Sequence, residues 1–183
     1  MPALRQTGKG YLAISRDSNV LTYCYYLTIM IEIINFEDRY ADDFRRLNLE
    51  WLYRYNLAES HDLEVLNDPR GTIIERGGYI FLAMEAGNVA GTAALAREHE
   101  GVYELAKMSV APLFRGRGIS KLLMVHCLEK AKELGAKKIT LFSNHQLVTA
   151  LHLYKKFGFT DVPVTDSPFE TADIKMELVL PGE

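Results

Sequence analysis

The succession of hydrophobic patterns predicts a mixed α/β domain with a largely antiparallel central sheet and helices on both faces. Three observations carry that expectation. Strand-like and helix-like patterns alternate along the 183 residues without an internal repeat. Two strand patterns flank a tight turn at Gly87-Asn88, too short for anything but antiparallel neighbours. The longest helical pattern follows a strand through a short glycine-rich turn.

Taken in order, Ile31 to Phe36 reads as a first strand, rich in isoleucine. Asp38 to Asn56 places Phe44, Leu47, Trp51, Leu52 and Tyr55 at helical spacing. Ser60 is the expected cap of a short helix near Asp62 to Asn67, stopped by Asp68-Pro69-Arg70-Gly71. The hairpin runs Tyr79 to Glu85 and Val89 to Leu95, and Val102 to Val110 is a fourth strand that Ala111-Pro112 terminates. A helix is expected from about Arg117 to Leu134, ended by Gly135. Lys137 to Phe142 is the fifth strand and Leu147 to Phe157 a helix closed by Gly158; strands near Phe159 to Val162 and Ile174 to Leu180 complete the chain.

Composition narrows the function classes. Hydrophobic residues make up 48% and charged residues 25%, the balance of a globular protein with one sizeable core. A net charge of −3 argues against a protein whose partner is nucleic acid, because such binding rests on a surplus of Lys and Arg. Cys24 and Cys127 match neither a metal-ligand spacing nor a disulfide framework, so a reduced thiol, a cytoplasmic setting and no metal are expected. The apolar run Leu21 to Ile31 is too short to span a bilayer and is preceded by polar Ser15 to Asn19, so neither membrane insertion nor a secretory signal is expected. Met30 stands directly before the first strand. The working domain is therefore expected over residues 30–183, with 1–29 as an extension of uncertain role.

Arg115-Gly116-Arg117-Gly118-Ile119-Ser120 carries the chemistry. It joins a strand to a helix, where the first-turn amide hydrogens have no intrahelical acceptor and the macrodipole adds roughly half a positive charge. Two glycines allow close approach and two arginines add charge and fork geometry, so a diphosphate suits the turn. A dinucleotide fingerprint is excluded because Lys121 stands where a third glycine is required, and a Walker A loop for want of Gly-Lys-Ser/Thr. A solvated tight turn is the plain alternative.

The Arg-x-x-Gly-x-Ser order of Arg115, Gly118 and Ser120 resembles the pyrophosphate motif of the GNAT superfamily of N-acetyltransferases, with Ser120 replacing the usual Gly or Ala. The segment from Asn144 to Phe159, "NHQLVTALHLYKKFGF", resembles that superfamily's A-x-x-L-Y-x-K-x-G-F helix and strand. The likeness extends from about Met30 to Leu180, and the strings "EWL", "HDLEVL" and "ELAKM" are similar to those of a bacterial branch of unknown acceptor. It implies the GNAT sheet, with fourth and fifth strands that splay. It also implies acetyl-CoA as acyl donor substrate, an amine acceptor as partner, and direct transfer without a covalent enzyme intermediate.

Residue roles follow from the same resemblance. Gly116, Arg117 and Ile119 join Arg115, Gly118 and Ser120 as cofactor-binding residues. Met108, Ser109 and Val110 are the expected bulge, whose main-chain amides receive the oxyanion. Asn144 is expected to approach the cofactor, although it stands six residues before Ala150 and not the usual three. Tyr154 is the expected proton donor to the departing thiolate, or else a packed helix tyrosine. Glu104 is the candidate base, or else a solvated strand residue; alternation would place it on one face with Ala106, Met108 and Val110. A strong base matters most for a lysine-like amine, which costs about 4.6 kcal/mol to neutralise at pH 7. Trp51, Tyr53, Tyr55, Glu59, His61, Asp62, Phe169 and Glu170 are candidates for acceptor recognition, although Trp51 and Tyr55 read first as core. Two other functions stay open at this stage: an acyl-CoA sensor that has lost the chemistry, and an acetylating protein directed at charged tRNA. A homodimer is compatible with all of them, and the acceptor itself is not specified.

Overall fold

The computed structural model describes residues 4–7, 10–13 and 31–181. Residues 1–30 and 31–183 form two compact units. In the first, Leu4–Thr7 and Gly10–Ala13 pair antiparallel. Cys24 and the greater part of the Leu21 to Ile31 run lie outside the described residues.

The second unit is built on seven strands: β1 (Glu32–Asn35), β2 (Tyr79–Glu85), β3 (Asn88–His99), β4 (Val102–Val110), β5 (Lys138–Ser143), β6 (Thr160–Val162) and β7 (Ile174–Val179). They form one sheet in the order β1-β2-β3-β4-β5-β7-β6, antiparallel at every step except β4 against β5. Among the described residues four α-helices cover it: α1 (Ala41–Arg54), α2 (Ser60–Asn67), α3 (Ile119–Glu133) and α4 (Val148–Lys156). The expected mixed, largely antiparallel α/β domain is therefore the fold observed.

Two cores lie on opposite faces. Phe44, Leu47 and Leu52 from α1 meet Leu66 from α2 and Ile80, Leu82 and Ala94 from the sheet. On the other face Leu123, Met124 and Cys127 from α3 meet Phe81, Leu95, Leu105 and Ile139, with Tyr154 of α4 at the margin. Strand alternation supplies both sets: Ile80 and Leu82 face one way, Phe81 and Ala83 the other.

Several boundaries move for identifiable reasons. The hairpin turn is Ala86-Gly87, with φ of 49° and 80°, the positive pair that a two-residue connection demands, so Asn88 already belongs to β3. Glu59, not Ser60, caps α2, and the Asp62 carboxylate accepts a hydrogen bond from its amide at 3.2 Å. Helix α3 starts at Ile119 because Gly116 and Gly118, at φ 78° and 80°, spend Arg115 to Gly118 in a turn.

Two irregularities of β4 position everything that follows. Against β3, Ala94 faces Ala106 but Thr92 faces Ser109, so β4 carries an extra residue, and Lys107 has the left-handed φ of 52°. Against β5, pairing covers only Val102 with Lys138, Tyr103 with Ile139 and Glu104 with Thr140. Beyond Glu104 the two strands part. The bulge also corrects the expected alternation. Met108 and Val110 pack on the α3 face, whereas Glu104 shares a cavity with Asp62 of α2, and Ser109 Oγ donates to the Leu47 carbonyl of α1 at 2.9 Å.

Gly91 of β3 lets α3 dock beside this bulge. A Cβ there would sit 2.8 Å from the Ser109 carbonyl oxygen, 3.0 Å from Ile119 and 3.2 Å from Leu123. Gly91→Ala should therefore lower stability by about 1–3 kcal/mol through overpacking, read as a lower denaturant midpoint with unchanged slope.

Candidate functional site

Where β4 and β5 separate, they open a cleft of about 570 Å³. One wall is β4 from Leu105 to Val110, whose β5-facing edge has no ladder partner past Glu104. The other is Phe142 and Ser143 at the end of β5 together with α4. The α3 turn closes one end with Arg115, Gly116, Gly118, Ile119 and Ser120. Trp51 of α1 and Tyr55, just past its end, line the cleft as well as flanking the core.

The turn has the properties of an anion cradle. Amides from Gly116 to Ser120 donate to nothing among the described residues, while Lys121 and Leu122 already donate to the Gly118 carbonyl. A Cβ at Gly116 or Gly118 would meet no atom within 4 Å, so the turn is uncrowded at both glycines. The two arginines behave differently. Arg115 lines the cleft, its Nε donating to the Val110 carbonyl at 3.1 Å. The Arg117 guanidinium does not line it; it pairs with buried Glu85 at 2.7 Å and lies over the Phe114 ring. Lys121, which the sequence reading used only to exclude a dinucleotide fold, contributes a cation to the lining instead.

A smaller cavity of about 70 Å³ adjoins the cleft, sharing Trp51, Ala106, Lys107, Phe142, Ser143 and Leu147 with it. Glu104 and Asp62 lie here. Burial is the largest influence on Glu104 and raises its carboxyl from 4.5 to about 7; Lys107 and Lys175 lower it, Glu98 and Asp62 raise it. The residue nonetheless keeps some accessible surface, through this cavity. A carboxylate of that kind is a competent base near neutral pH.

Tyr154 is buried on α4, lines the cleft, and has no hydroxyl partner among the described residues. Burial raises its phenol to about 12, so it remains a proton-bearing donor at neutral pH. Asn144 lines the small cavity and not the cleft. Its amide donates to the Thr171 carbonyl at 2.7 Å and its oxygen accepts from the Gln146 amide at 3.0 Å, which ties the turn after β5 to the segment before β7.

That segment meets the first helices, as the clustering of Glu59, His61, Phe169 and Glu170 suggests. The Glu59 carboxylate accepts from the Glu170 and Thr171 amides at 2.8 and 2.7 Å, and His61 lies edge-on to Phe169 at 5.2 Å. Burial works against ionisation of Glu59, but hydrogen bonds from Thr171 and Glu170 outweigh it and lower its pKa.

Sequence reasoning missed Lys107 and Ser143. Lys107 is buried, with its ammonium 2.6 Å from Asp62. Its signal was available: in Leu105-Ala106-Lys107-Met108 a lysine takes the buried phase of the strand, a break in period two that marks the bulge. Ser143 lines both cavities, and its buried hydroxyl has no partner among the described residues. Nothing in its flanking sequence distinguishes it. Among the described residues no group of three His, Cys, Asp or Glu could hold a metal ion, and no helix is long and apolar enough to cross a membrane.

Comparison with known proteins agrees with this geometry. Residues 37–159 match the model of the Acetyltransferase (GNAT) family. The uncharacterized N-acetyltransferase YvbK of Bacillus subtilis is 30% identical over 104 residues, which are 55% of this chain and 67% of that protein. A second curated relative, from Escherichia coli, is matched over 43% of its length. A GNAT-family acetyltransferase structure from Staphylococcus aureus Mu50 superposes with a TM-score of 0.77 at 22% identity, over 83% of this chain and all of that one. A Salmonella typhimurium structure described as yncA, a putative acetyltransferase with its cofactor acetyl-CoA, superposes at 0.66 with 16% identity over 84% of this chain and 96% of that one.

Glu104 also makes a stability prediction whose sign is fixed. Its folded value lies above the ordinary 4.5, so the folded state holds the proton more tightly, and its contribution falls as pH rises from about 4.5 to 7. Above 7 the cost of the buried charge is fully present. Glu104→Gln should therefore be more stable than wild type by about 3 kcal/mol at pH 8, with the gap closing towards pH 4.5, as read by denaturant unfolding at both pH values.

Proposed function

The chain belongs to the Acetyltransferase (GNAT) family, acetyl-CoA-dependent N-acetyltransferases, and from that premise we propose that it moves the acetyl group to a primary amine by direct attack in a ternary complex. The observation that carries the proposal is the set of free amides from Gly116 to Ser120 at the mouth of the cleft between β4 and β5. They suit the diphosphate of coenzyme A, with Arg115 and Lys121 as cations beside them. The apolar cleft wall beyond suits the pantetheine arm, which leads to where the two cavities join.

In this proposal the small cavity receives the amine. Glu104 takes the proton lost by the attacking nitrogen. Main-chain amides of the bulge, at Lys107 to Val110, receive the negative charge that develops on the carbonyl oxygen. Tyr154 faces the departing sulfur. With its phenol near 12 and a thiol near 8.5, full proton transfer to the released thiolate is uphill, so its part is a hydrogen bond that strengthens as the thiolate forms. The working domain is residues 30–183, with 1–29 as an extension. The compartment in this proposal is the cytoplasm, on the ground that two cysteines set far apart in sequence suggest no disulfide framework.

Release of free coenzyme A thiol across a panel of amines, amino acids and peptides tests the activity; a panel without any release would remove it. Tyr154→Phe should lower kcat by roughly 10²-fold while calorimetric affinity for acetyl-CoA stays near wild type. Arg115→Ala should instead raise KM for acetyl-CoA with little change in kcat, and with weaker dependence on salt.

A further inference from the structure

The β4 bulge could be made by glycine without strain, yet Lys107 occupies it at φ 52°. Its ammonium is withdrawn from water along with its partner: the Lys107 and Asp62 side chains are 5% and 4% exposed, with Nζ 2.6 Å from Oδ1. A buried ion pair of this kind contributes little net stability compared with apolar residues of the same shape. Strained backbone and desolvated charge together are a cost that stability does not explain.

What the pair does contribute is placement. The Asp62 carboxylate also accepts from the Glu59 amide at 3.2 Å, at the start of α2. The Lys107 ammonium lies 5.3 Å over the Phe169 ring, in the segment that Glu59 holds through the Glu170 and Thr171 amides. On the strand itself, Thr92 Oγ1 donates to the Lys107 carbonyl at 2.9 Å, and Asn48 of α1 donates to Thr92 at 3.1 Å. Strand bulge, α1, α2 and the segment before β7 therefore converge on one residue, in the cavity that also holds Glu104.

We infer that Lys107, anchored by Asp62, is the positioning residue of the acceptor half of the site: it fixes the bulge and sets the charge that Glu104 meets. The inference rests on the proposed acetyl transfer for its purpose, while its geometry stands apart from it. The charged groups that bear on Glu104 are Lys107 on its own strand, Glu98 on β3, Asp62 on α2 and Lys175 on β7. Glu98 accepts a hydrogen bond from Thr140 at 3.1 Å, and Lys175 lies 5.1 Å from the Phe142 ring centroid. Lys107 and Asp62 act on Glu104 with opposite sign, as their charges require, so the two substitutions must shift it in opposite directions.

The test is a carbon-13 carboxyl titration of Glu104 in the full chain, as wild type, Lys107→Met, Asp62→Asn and the double variant. Lys107→Met should move the Glu104 midpoint up by roughly one pH unit and Asp62→Asn should move it down by a similar amount. In the double variant, which leaves no uncompensated ion, the midpoint should return close to wild type while turnover falls at least tenfold. Midpoints that do not move, or that move in the same direction in both single variants, overturn the inference. If the single variants do not fold, the double variant decides alone: wild-type turnover in it overturns the inference. Glu104→Gln turnover is read in parallel. Undiminished turnover there would sink the base role in the proposed reaction without affecting the titration, so the two failures are distinguishable.

Discussion

Strands β4 and β5 run parallel, pair over three residues and then separate, and this interrupted ladder is the constraint on which the site depends. A sheet edge left unpaired inside a protein exposes amides and carbonyls that must find partners. Here the edge is neither covered nor charged off; it forms a cleft wall. The bulge at Lys107 makes the departure possible, because the extra residue lets β4 keep its pairing with β3 on one side while turning from β5 on the other. Gly91 then allows α3 to sit close to that bulge, which brings the helix N-terminus to the end of the same cleft.

The resulting site has two halves with opposite electrostatic character. At one end, free amides, the helix dipole, Arg115 and Lys121 favour anionic groups. At the other, Glu104 and Asp62 outweigh the single ammonium of Lys107 in a small cavity walled by Trp51, Phe142 and Phe169. That polarity supports the proposed transfer from a polyanionic donor to an amine. The two arginines of the turn differ too: Arg115 lines the cleft with its guanidinium 3.7 Å from Glu50, while Arg117 pairs with buried Glu85 at 2.7 Å.

The sequence made most of this fold legible, since its strands and helices carry clean periodicity and the glycines of the α3 turn announce a positive-φ backbone next to a helix start. The cradle was readable for that reason, and the expected roles of Arg115, Gly118 and Tyr154 were assigned to residues that do line the cleft. Less legible was anything that depends on strand phase. Period two placed Glu104 with Met108 and Val110, and one bulge residue reversed the relation. Nor could local pattern show that Asn144 is taken up by Thr171, or that Asp62 pairs with a lysine 45 residues away, because both are products of tertiary approach.

Backbone amide hydrogen exchange with and without acetyl-CoA addresses the central claim most directly. Binding in the cleft by main-chain groups predicts slowed exchange confined to Gly116 through Ser120 and to the parted stretch of β4 after Glu104. Saturating acetyl-CoA that leaves those amides unprotected, or protects a different surface, would contradict the account.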